Sequence, residues 1–107
     1  MTDVPMQAAL VAIWKKNLPQ VRERLAVLQR AADELATTRT LDAELRKEAT
    51  SLAHKMAGSL GMFGLHSGTN AARAIEQLLE QDGLPQPEHL QQQVDALARA
   101  VAPHLVN

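Results

Sequence analysis

His54 sits in the run Leu52-Ala53-His54-Lys55-Met56, and its position there makes it the residue of this chain best placed to do chemistry. The apolar residues around it, Leu41, Leu45, Ala49, Leu52, Met56 and Leu60, recur every three or four positions. That is the period of a helix with one buried face. At about 100° per residue, His54 stands two residues from both Leu52 and Met56 and projects on nearly the opposite side, into solvent. Imidazole ordinarily titrates near 6.5, so the neutral ring is abundant near pH 7. Its free nitrogen is a nucleophile that can attack an activated phosphorus and later release the phosphoryl group.

One exposed histidine is commonplace, and its neighbours single this one out. Positions three and four apart on a helix share a face. Around His54 these are Ser51 and Thr50 behind, Gly58 ahead, and Gly61 one turn further, all of them small. A mid-helix glycine costs about 1 kcal/mol relative to alanine. Two readings of the glycines stand. They strip the surface so that a large group can approach the imidazole, or they mark a kink or a close helix contact. Both hold if Gly58 clears the face while Gly61 packs inward. Lys55, about 100° round the helix, can reach a phosphoryl oxygen on His54 or serve only as a solvated lysine. Ser59 reads as a phosphate donor, or as a hydroxyl bonded back to the carbonyl four residues earlier.

The elements that must position these residues are all helical. Period and punctuation predict helices over about 5–17, 19–36, 41–63, 67–81 and 88–105. Pro5 suits an early helical position, and Leu18-Pro19 is expected to break or bend the chain. In the first helix Met6, Leu10 and Ile13 share one side with Trp14 beside them. They read mostly as core, although Met6 and Trp14 also fit an apolar docking patch. Leu18, Val21, Leu25, Leu28, Ala32 and Leu35 form the seam of the second. Thr40 is the expected N-cap of the third, with Asp42 and Glu44 in its first turn, and Gly64 its stop. Ala71, Ala72, Ile75, Leu78 and Leu79 face inward on the fourth. Leu90, Val94, Leu97, Val101 and Leu105 do so on the fifth, whose last turn Pro103 loosens. The expected fold is all-α: an antiparallel up-down four-helix bundle with a short N-terminal capping helix, residues 1–107 forming one domain.

Composition narrows the function. The chain has 107 residues, a formal net charge of −1 and no cysteine. The lack of a basic excess argues against nucleic acid as main partner. Disulfides and thiolate metal sites are excluded, and a cytoplasmic setting is expected. No apolar run approaches the roughly 18 residues of a membrane helix. His66, His89 and His104 form no i, i+4 pair, so no metal site is expected. Gly58 to Gly64 is glycine-rich but lacks the Lys-Ser/Thr of a nucleotide loop. Glu76 and Glu80 read as a solvated helix face.

The run Ala53-His54-Lys55-Met56-Ala57-Gly58-Ser59-Leu60-Gly61-Met62-Phe63-Gly64 resembles the motif of the histidine-containing phosphotransfer (HPt) domain family. In that motif an acceptor histidine is followed by Gly-Ser four and five residues on, and by a further glycine about ten on. His54, Gly58, Ser59 and Gly64 match. The helix order around them extends the resemblance over nearly the whole chain. It implies that His54 accepts a phosphoryl group from a receiver-domain aspartate, or a kinase, and relays it to another receiver aspartate. The resemblance also implies no independent kinase activity, no cofactor bound by this chain, and Mg²⁺ carried by the partner receiver domain. The implied partners are response-regulator receiver domains and a hybrid histidine kinase, with the chain itself a monomer. An HPt-like scaffold that docks such a domain without relaying is the alternative, which the intact His54 disfavours. Many family members carry lysine three residues after the acceptor. Here that residue is Ala57, and Lys55 is the substitute the resemblance suggests.

Overall fold

The structure is a computed structural model that describes residues 8–105. Its elements are α1 (Ala8–Thr38), α2 (Ala43–Met62), α3 (His66–Glu80) and α4 (Pro87–Val101), closed by a 3₁₀ turn over Ala102–His104. Each helix packs against the next in sequence, and α4 returns to α1, while the pairs α1–α3 and α2–α4 stand diagonally with no close backbone approach. The result is the expected four-helix ring around one core. Among the described residues there is no strand, and no helix is long and apolar enough to cross a membrane.

The first two expected helices are one. α1 runs for 31 residues straight through Pro19. Proline inside a helix costs about 3 kcal/mol or more, by removing one N–H bond and crowding the carbonyl four residues back. Trp14 and Leu18, on the near side of it, are 4% and 2% exposed. They continue the buried line of Val21, Leu25, Leu28, Ala32 and Leu35 without a change of phase. Burying two such side chains is worth at least as much as the proline costs, and Pro19 itself faces solvent. Pro5 and Met6 lie outside the described residues.

The capping role expected of a separate helix falls to the first turns of α1. At about 1.5 Å per residue α1 outruns the 20-residue α2 by several turns. Its overhang folds over the end of the bundle. The Trp14 indole meets Phe63 edge-on at 5.0 Å between centroids, and its Nε1–H donates to the His104 carbonyl at 2.7 Å. Trp14 is therefore core and no part of a docking patch. Ile13, expected inward, is 47% exposed. The overhang meets the rest of the protein along a narrow line, and the indole occupies it.

α2 begins two residues later than expected. Asp42, not Thr40, caps it by accepting from the Leu45 N–H at 3.0 Å. The Thr40 hydroxyl pairs instead with that of Thr38 at 2.7 Å. Leu52, expected in the core line, is half-buried. α3 runs from His66 to Glu80, within a residue of its expected limits, and α4 gives way to the 3₁₀ turn one residue before Pro103 enters it.

Gly64 ends α2 by conformation. Its φ is +77°, which costs a residue bearing a Cβ roughly 1–2 kcal/mol. The Gly64 N–H donates to the Gly61 carbonyl at 3.1 Å, and the Leu65 N–H to the Leu60 carbonyl at 3.0 Å. This is the paired closure of a Schellman motif, with Leu65 buried as its apolar contact. Gly64→Ala should lower unfolding free energy by about 1–2 kcal/mol. Urea titration checks this, and an unchanged midpoint would contradict the assignment.

Candidate functional site

The His54 face of α2 is built by the seam with α3, which three polar contacts hold in register. Near the α2–α3 turn the Thr69 hydroxyl, buried, donates to the Ala57 carbonyl at 3.2 Å. At the far end the Arg46 guanidinium donates to the Leu79, Gln81 and Gly83 carbonyls at 2.9, 2.8 and 2.7 Å. These are the unpaired carbonyls of the α3 C-terminus and the loop beyond, which favour a cation. Between these two ties, His54 Nδ1 lies 2.8 Å from Glu76 Oε2.

That contact gives the imidazole a defined orientation. A carboxylate only accepts, so the neutral ring bonded to it carries its proton on Nδ1 and leaves the Nε2 lone pair free. The His54 side chain is 75% exposed while that of Glu76 is 21% exposed. The nucleophilic nitrogen thus faces solvent and the orienting group sits in the helix seam. Glu76 was expected on a solvated face, and the structure corrects this. Its nearest hint in the sequence is its spacing, four residues after buried Ala72 and three before buried Leu79, at the edge of the inward stripe.

The other expected site residues divide. Gly58 is exposed, and a Cβ built on it meets nothing within 4 Å. It clears the surface one turn beyond His54. A Cβ on Gly61 would stand 3.5 Å from the Thr69 hydroxyl, so this glycine borders the α3 contact. Ser51 is exposed on the same face. Thr50 is half-buried, and its hydroxyl is spent on the Arg46 carbonyl at 2.7 Å. Lys55 and Ser59 lie about 100° and 140° round the helix from His54. Lys55 lines a groove toward α1 with Gln20, Arg24 and Val27, and Ser59 is half-buried. Neither shares the His54 face. Gly64 lies in the turn beyond α2 and acts through its backbone. Among the described residues no three His, Cys, Asp or Glu side chains gather as a metal site.

The geometry is thus a helical bundle that presents an exposed imidazole, hydrogen-bonded to Glu76, on a helix face left clear at Gly58. The sequence signature described as the Hpt domain matches residues 12–103, and the chain belongs to that family. Hpt domains carry phosphoryl groups on histidine in phosphorelays, are not kinases, and interact with receiver domains and kinases. Over 82 residues the chain is 33% identical to Protein RcaC of Microchaete diplosiphon, a match covering 77% of this chain and 12% of that protein. No solved structure matches significantly.

If Glu76 orients the ring, ¹⁵N NMR of neutral His54 should show the proton on Nδ1. Glu76→Ala should yield a mixture of tautomers, and so should Glu76→Gln, because an amide can donate to Nδ1 as readily as it accepts from it. Identical spectra for all three proteins would refute the orienting role.

Proposed function

We propose that His54 is the phosphoacceptor of this Hpt domain and relays a phosphoryl group between receiver-domain aspartates. The observation that carries this reading is the hydrogen bond from Nδ1 to Glu76, which leaves Nε2 free on a face cleared by Gly58. In the forward step the Nε2 lone pair attacks phosphorus in line, and the P–O bond to the donor aspartate breaks. The departing carboxylate keeps the bonding electrons. The ring gains positive charge and retains its proton on Nδ1, where the Glu76 carboxylate balances it. No proton need leave during transfer. The reverse step restores the neutral ring and returns the phosphoryl group to another aspartate.

This chain's share of the work is positioning, and an in-line transfer needs little else beyond charge neutralisation. Mg²⁺ held by the receiver would supply part of that neutralisation. The partners proposed here are receiver domains and the kinase that feeds them.

Incubation with a phosphorylated receiver domain tests the assignment. Acid-labile, alkali-stable label should appear on the wild type and be absent from His54→Gln. Label on the variant equal to that on wild type would sink the reading.

Gly58 offers a separate check on access. Gly58→Ala should raise stability by roughly 0.5–1 kcal/mol, because helix propensity improves and nothing is crowded. Gly58→Trp should fold but transfer at least about tenfold more slowly, since a misplaced approach is costly. Thermal melts and transfer rates read the two effects separately.

A further inference from the structure

A phosphoryl group on His54 would bring negative charge to a ring already beside the Glu76 carboxylate, and Lys55 does not share that face, so a cation on α3 would offset the repulsion best. We infer that Arg73 of α3 is the phosphate-contacting cation of this site. The inference rests on His54 being the acceptor.

Two contacts bracket Arg73. Four residues before it, Thr69 bonds the Ala57 carbonyl, and three residues after it, Glu76 bonds the His54 ring. Residues spaced by three and four share one side of a helix. Arg73 therefore belongs to the stripe of α3 that follows the His54 face. Because α2 and α3 run antiparallel, Arg73 falls between the levels of Ala57 and His54, alongside the gap above Gly58. Its side chain leans toward the α3 N-terminus, the direction of that gap. Whereas Ala72 is buried, Arg73 is exposed.

Its charge is also available. The Arg73 side chain makes no hydrogen bond or ion pair with another described residue. The Glu76 carboxylate, three residues on, is held by His54 instead. The rival cations are placed less well. Arg46 is committed to three carbonyls, and Lys55 borders the α1 groove. Lys47 lies about 10 Å down the helix from His54, at roughly 1.5 Å per residue. A guanidinium also presents paired donors that suit two phosphoryl oxygens.

Potassium phosphoramidate provides a test without a partner protein. Nε2 of His54 attacks its phosphorus, the P–N bond breaks, and ammonia departs with the bonding electrons after taking up a proton from water. Labelling of His54 is followed by mass spectrometry in wild type, Arg73→Ala, Arg73→Lys, Lys55→Ala and His54→Gln.

Arg73→Ala should label about three- to tenfold more slowly at low ionic strength, the scale of one nearby charge acting through water. The deficit should shrink at high salt, as exposed charges are screened. Arg73→Lys should recover most of the rate, Lys55→Ala should match wild type, and melting of the Arg73 variants should be unchanged. Wild-type labelling by Arg73→Ala, a deficit insensitive to salt, or slowing by Lys55→Ala instead would overturn the proposal while leaving His54 as acceptor. Equal labelling of His54→Gln would overturn the acceptor assignment itself.

Discussion

The seam between α2 and α3 is the constraint on which the site depends. A helical histidine opposite a core stripe is exposed whatever its neighbours do, but exposure leaves the ring free to rotate and to exchange tautomers. The Glu76 carboxylate removes that freedom only if two helices hold their axial register. Thr69 pins one end of the seam through the Ala57 carbonyl, and Arg46 pins the other through three carbonyls. A slip of one residue along the axis is about 1.5 Å, which would shift Glu76 away from the position that gives the 2.8 Å contact.

The glycines near His54 divide their labour by environment. Gly58 opens onto solvent, Gly61 borders Thr69, and Gly64 takes a left-handed conformation. Gly68 belongs to the packing, since a Cβ there would come within 3.0 Å of the Leu60 side chain. One amino-acid type thus serves access, helix approach, helix termination and core packing within eleven residues of sequence. Only the first bears on the chemistry of His54, and only Gly58 has nothing around it that would explain a missing side chain structurally.

α1 shows local preference overruled by packing. Leu18-Pro19 carries a strong signal to interrupt the helix, yet the buried line crosses it in phase from Trp14 to Leu35. Burial of Trp14 and Leu18 offsets what the proline removes. The long helix then brings Trp14 over Phe63 and the C-terminal 3₁₀ turn, closing the end of the bundle beyond the acceptor. The α1–α2 flank receives Lys55, while α3 furnishes the carboxylate that contacts His54.

Helix content, the bundle, the outward direction of His54 and the small residues around it were legible in the sequence. All follow from periodicity within a single helix, which needs only a repeat of 3.6 residues and the burial of apolar side chains. Membership of the Hpt family was legible too, through His54, Gly58, Ser59 and Gly64. The continuity of α1, the committed hydroxyl of Thr50, the groove that Lys55 lines with α1 and the contact of Glu76 with His54 were not. Glu76 lies 22 residues from His54, and no local pattern relates the two. Their meeting depends on where the Gly64 turn reverses the chain and how Thr69 and Arg46 set the register of α3 on α2. By itself the sequence determined which side of α2 faces outward. The tertiary structure decided what stands beside the imidazole, because register between two helices is a property of their packing and not of either helix alone.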